Sequence, residues 1–120
     1  GNNGFFVTGA YAYDRCGVSV SGAGDVNGDG FDDLFVGADG TSEYATEAGA
    51  AFIVYGTDQG YPAVWNYEEL YSGTMGYLIH GDRRYDNMGA SVGGGFDFDG
   101  DGIDDTVVGA PGSETAYLVY

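Results

Sequence analysis

The chain has 120 residues, 24 of them glycine, with aromatics at 16 %, two prolines and no lysine, a mixture that favours short strands and tight turns over helices. Its 19 acids face only three bases, Arg15, Arg83 and Arg84, for a formal charge of −16, which excludes nucleic acid and anionic lipid as partners because both need clustered cations. Hydrophobic content of 43 % supports a packed core, yet no run approaches the roughly 18 apolar residues of a membrane span.

The chain starts "GNNGFFVTG", without a basic and apolar leader, so any export signal is expected to have been removed or to lie outside this sequence. In chain order, strand signals follow at "FFVT" (5–8), "GVSVSG" (17–22), "DLFVGA" (33–38) and "AFIVYG" (51–56). A linker from Thr57 to Gly76 carries Pro62 and Trp65, and "NYEEL" within it could add one helical turn. Strand signals then return at "YLIH" (77–80), "GASVGG" (89–94), "DTVVGA" (105–110) and "AYLVY" (116–120). The single cysteine, Cys16, has no internal disulfide partner and reads as a small buried thiol.

This order is one unit written twice. Setting residues 5–40 against 77–112 gives 17 identities in 36 positions, after which the frame slips by seven residues because the first copy has an insertion near "TSEYATEAG". The expected organisation is therefore residues 1–56 as a first strand plus the first repeat, 57–76 as linker and 77–120 as the second repeat. Four short antiparallel strands per unit at this period predict an all-β chain built as two blades of a β-propeller. Two blades cannot close a ring, so other copies or residues outside this chain must complete it.

Between the second and third strands of each copy stands a nine-residue acidic turn, "DVNGDGFDD" and then "DFDGDGIDD". Oxygens at alternate positions come from Asp25, Asn27, Asp29, the Phe31 carbonyl and Asp33, and in the second copy from Asp97, Asp99, Asp101, the Ile103 carbonyl and Asp105. Such a hard-oxygen set suits Ca²⁺ better than Mg²⁺, and two structural calcium ions are expected. A metal-free Asp/Gly turn is the rival reading, which recurrence in the same frame disfavours. An EF-hand needs Glu at position twelve on a helix, where this chain has Val36 and Val108 in strand sequence. Asp32 and Asp104 are expected to bond the loop backbone or face solvent.

The series "CGVSV" or "MGASV", then the acidic turn, then "GAD" or "GAP", resembles the FG-GAP repeat of integrin alpha-subunit propellers and their bacterial relatives, over nearly the whole chain. Cys16 and Met88 replace the Phe of the motif, and Asp39 replaces the Pro that Pro111 retains. The resemblance implies a calcium-stapled propeller module used outside the cell for adhesion, protein interaction or scaffold assembly. Its metal turns would lie on the face opposite the ligand surface. Recognition would then fall to loops 10–15, 40–49 and 82–87. It also implies that "YLIH" is an outermost strand, so that "FFVT" completes a blade begun by "AYLVY" of a neighbouring copy in a homo-oligomer; a longer array of tandem repeats is the alternative.

A propeller lectin, binding glycans through Tyr11, Tyr13, Tyr44, Trp65, Tyr67, Tyr71 or Tyr85, is the second functional reading. An enzyme is not expected, because the acids are better explained as metal ligands and His80 stands alone in a strand signal. Extracellular calcium modules bind with dissociation constants of about 10⁻⁴ to 10⁻³ M, which favours an exported protein.

Overall fold

A computed structural model describes residues 4–43, 45–61, 64–66, 70 and 73–120. They form nine short strands and no α-helix, with one 3₁₀ turn at Pro111–Ser113. Among the described residues no helix is long and apolar enough to cross a membrane. The helical turn expected at "NYEEL" falls largely outside the described residues.

The first sheet contains β2 (Ser19–Gly24), β3 (Asp33–Ala38), β4 (Ala50–Val54) and β6 (Gly76–His80), antiparallel throughout and in that spatial order. A second sheet holds β7 (Ser91–Phe96), β8 (Asp105–Ala110) and β9 (Thr115–Val119) in order. β3 and β8 match their predicted bounds. β2 and β7 start two residues later than expected, because Gly17 and Gly89 are left-handed, with φ of 86° and 87°, and close turns onto the Gly37 and Gly109 carbonyls instead. Both strands then run on through a bulge, between Gly22 and Gly24 and between Gly94 and Phe96.

The sequence repeat, counted as four strands per copy, and the structural blade are out of phase by one strand: "YLIH" pairs as β6 with β4 at the outer edge of the first sheet, the outermost place the resemblance implied, and the second sheet has three strands among the described residues. One expectation needs correcting, that for "FFVT". β1 (Phe6–Thr8) pairs in parallel with β5 (Val64–Asn66) of the same chain, rather than waiting for the C-terminal strand of a neighbour. Apolar contact holds it there. Phe5 stacks on Tyr61 with ring centroids 4.3 Å apart, and Phe5 and Val7 pack on the first sheet.

Strand alternation makes both faces of the first sheet apolar. Phe35, Ala51 and Ile53 face the second sheet and pack with Met88, Val108 and Ala110. Val36, Ala38, Phe52 and Val54 face the other way, covered by Leu70 and by the segment carrying Phe5, Val7 and Cys16. In the repeat Val108 and Ala110 correspond to Val36 and Ala38. The two sheets therefore stack back to front, in the same orientation, as successive blades do.

Close approach of the sheets depends on missing side chains. A Cβ on Gly37 would overlap the Gly89 carbonyl, which also accepts the Ser19 hydroxyl at 2.7 Å. Gly37→Ala is accordingly expected to destabilise the chain by about 1–3 kcal/mol through overpacking. Gly22→Ala, which meets open space, should change stability by less than about 0.5 kcal/mol. Urea unfolding of the two variants checks the contrast.

Candidate functional site

The turns joining β2 to β3 and β7 to β8 are built by the same five bonds. In the first, the Asp25 carboxylate accepts the N–H groups of Asp29 at 3.0 Å and Gly30 at 2.8 Å. Asn27 Oδ1 accepts the Asp29 N–H at 3.0 Å, Asp29 Oδ1 accepts the Phe31 N–H at 2.9 Å, and Asp33 Oδ2 accepts the Val26 N–H at 2.9 Å. In the second, Asp97 accepts from Asp101 and Gly102, Asp99 from Asp101, Asp101 from Ile103, and Asp105 from Phe98. Left-handed glycines, Gly28 and Gly30 or Gly100 and Gly102, with φ between 73° and 93°, turn the chain back on these carboxylates.

The last acid of each turn is buried. Asp33 also accepts the Gly56 N–H at 2.8 Å, tying the turn to the end of β4. Burial pushes its carboxyl above the ordinary range, the Gly56 and Val26 N–H groups pull it down, and Asp29 and Asp25 add to the upward push.

Of the ten expected ligands, Asp97, Asp99 and Asp105 bring carboxylate oxygens within 4.8 Å of one another. Asp101 is engaged with the Ile103 N–H, and Phe31 and Ile103 sit with their side chains partly exposed. In the first turn Asn27 stands where the second has Asp99, so its donor there is an amide oxygen; no matching carboxylate triad occurs among the described residues. Asn27 Nδ2 instead donates to Asp29 Oδ2 at 3.0 Å. The donors are all oxygen, and the crowded carboxylates repel one another, which is the chemistry a hard divalent cation relieves. Asp104 does bond a loop backbone, but that of the other turn: its Oδ2 accepts the Asp25 N–H at 3.0 Å.

At the opposite end of the strands, loops 10–15 and 40–49 border an open pocket of about 700 Å³ lined by Tyr11, Tyr13, Arg15, Ser42, Glu43 and Glu47. A buried acid shapes this loop in both repeats. Asp14 accepts the Tyr11 N–H at 2.8 Å and Asp86 the Arg83 N–H at 3.1 Å. The residues immediately before and after each acid adopt left-handed conformations without being glycine: Tyr13 and Arg15, then Tyr85 and Asn87. Such strained positions cluster at recognition sites. Tyr13 is 91 % exposed, and the Arg15 Nε lies 3.0 Å from Asp39.

Loop 82–87 joins the same surface. Its Tyr85 and Asn87 N–H groups bond the Thr46 and Glu47 carbonyls at 2.8 and 3.1 Å, an adjacency no local pattern announces. Tyr44, Tyr67 and Tyr71 lie outside the described residues, as does the Trp65 side chain. Cys16 is half-buried, its Sγ 3.8 Å from the Val7 carbonyl, and burial, then Asp14, raise its thiol above the usual range. His80 ends β6, with Nδ1 3.4 Å from the Gly81 oxygen.

The profile of the FG-GAP repeat matches residues 16–54 and 88–120. Integrin alpha-5 of Xenopus laevis is 35 % identical over 114 residues, covering 95 % of this chain and 10 % of the relative. Integrin alpha-PS5 of Drosophila melanogaster is 36 % identical over 109 residues, 87 % of this chain and 10 % of the relative. Phosphatidylinositol-glycan-specific phospholipase D of Bos taurus is 33 % identical over 112 residues, 92 % of this chain and 13 % of the relative. The chain thus spans about a tenth of the length of these relatives. The same repeat occurs in a protein named for an enzymatic activity, so repeat membership alone does not separate enzymes from other proteins. With its doubled acidic turn, its back-to-front antiparallel sheets and these matches, the chain belongs to the FG-GAP repeat family of integrin alpha-like β-propellers.

Proposed function

We propose that this chain is a calcium-stapled, extracellular propeller module for adhesion or protein interaction, with its metal turns structural and its ligand surface on the opposite loop end. The carrying observation is the identical carboxylate-to-backbone bonding of the two turns, which gathers oxygens from Asp25, Asn27, Asp29 and Asp33 and from Asp97, Asp99, Asp101 and Asp105. The Phe31 and Ile103 carbonyls would complete the two sets. A bound calcium ion would supply the positive charge that lets these carboxylates sit together. The chain's own part is to hold the turn open between two strands, so that the ion fastens β2 to β3 and β7 to β8.

The loop end carries recognition in this reading. Tyr11, Tyr13, Glu43 and Glu47 offer aromatic and acidic contact surface on a frame fixed by Asp14 and Asp86. The exposed tyrosines around the pocket also support the second reading, a glycan-binding propeller. Val107 and Leu118, paired across β8 and β9, alternate with residues that face the first sheet, so they lie on the outer face of the second. They correspond to Phe35 and Ile53, which the second sheet covers; a further blade, from a longer array or another copy, is the natural cover.

Calcium at about 100 times its dissociation constant should add about 2.7 kcal/mol of stability per site. Scanning calorimetry should show a rise in melting temperature with calcium, a much smaller one with magnesium, and loss of part of the calcium increment in Asp29→Ala or Asp101→Ala. A melting temperature indifferent to chelator contradicts the stapling role.

Matrix-protein panels and glycan arrays probe the loop end. Capture by a protein that Tyr13→Ala weakens tenfold or more supports the adhesion reading, a loss of about 1.4 kcal/mol. Binding confined to glycans favours the lectin.

A further inference from the structure

We infer that Asp104 is a positioning residue that couples the two metal turns, so that filling the second turn raises the calcium affinity of the first. This rests on the proposed calcium reading and adds a relation between the sites. Asp104 Oδ2 accepts the Asp25 N–H at 3.0 Å, and the Asp104 N–H points back at the Asp25 carbonyl at 3.4 Å. Both partners are placed to transmit occupancy. Asp25 is the first oxygen donor of its turn and holds the Asp29 and Gly30 N–H groups, while Asp104 is bonded in sequence to Asp105, the last member of the carboxylate triad.

The contact is a built one. Gly24 is left-handed with φ of 71°, and a Cβ there would overlap the Asp104 carboxylate, so the first turn leaves room for the acid that enters from the second. Ile103, the expected carbonyl donor, touches the first turn as well: its Cδ1 lies 3.1 Å from where a Cβ on Gly28 would stand. An ion held by Asp97, Asp99 and Asp105 fixes the Asp105 backbone, and with it the neighbouring Asp104. The Asp104 carboxylate and N–H then hold both backbone groups of Asp25, so the first turn loses less freedom when its own ion arrives, which is positive coupling through ordering. Linkage makes the effect reciprocal. Asp32, the matching residue of the first turn, makes no corresponding bond among the described residues, which leaves it as a control of equal charge.

Calorimetric calcium titration of the full chain tests this as a double-mutant cycle. Asp101→Ala disables the second turn, so the remaining constant reports the first. The coupling predicts that the first turn binds roughly 5- to 150-fold more weakly in Asp101→Ala than in the unaltered chain. In an Asp104→Ala background that difference should collapse to within about twofold, whereas in an Asp32→Ala background it should persist. A first-turn constant indifferent to Asp101→Ala, or a difference that survives Asp104→Ala, overturns the coupling and leaves the calcium reading standing. No calcium uptake by the unaltered chain at millimolar concentration overturns the calcium reading and the coupling with it.

Discussion

The organisation of this molecule depends on carboxylates that accept the backbone N–H groups of their own turns. Asp25 and Asp97 each hold the N–H groups four and five residues ahead, and that bonding pairs backbone donors at the point where a nine-residue turn reverses the chain. The same bonding draws several negative charges into one small volume. A chain with a formal charge of −16 thus carries its densest charge where its strands are joined. In the proposed calcium reading, an ion that removed this repulsion would fasten the strands in the same step.

From the turns the architecture propagates by repetition. Each turn aims one strand back along the last, alternation makes both faces of the first sheet apolar, and the second sheet covers one of them with the residues its own repeat places on the opposite face. Gly37 and Ser19 set the spacing, the first by having no Cβ and the second by donating to the Gly89 carbonyl. The remaining face of the first sheet is closed from within the chain by Phe5, Val7 and Leu70. On the outer face of the second sheet Val107 and Leu118 stay partly exposed.

What the sequence reveals follows the range of the interaction. The acidic turns were legible because their bonds run two to seven residues, so spacing alone orders Asp25, Asn27, Asp29 and Asp33; β3 and β8 were legible for the same reason. Long-range choices were not. Nothing local in "FFVT" says that it pairs in parallel with Val64–Asn66, and the place of "YLIH" at the edge of the preceding blade followed from the family resemblance, not from the repeat itself. The contact between loop 82–87 and the insertion at 40–49 runs through main-chain atoms of Tyr85, Asn87, Thr46 and Glu47, whose side chains leave no pattern for it. Asp104 lay between these cases. Its bonding to a loop backbone was expected, but the loop it bonds lies 79 residues away. The one local trace was Gly24, a glycine where the second repeat has Phe96.

The most direct test of the calcium reading is anomalous diffraction from crystals of the chain grown with calcium. One peak is expected in each turn, the first ligated by Asp25, Asn27, Asp29, Asp33 and the Phe31 carbonyl, the second by Asp97, Asp99, Asp101, Asp105 and the Ile103 carbonyl. Turns that keep the bonds described above but show no anomalous peak at millimolar calcium would contradict that reading.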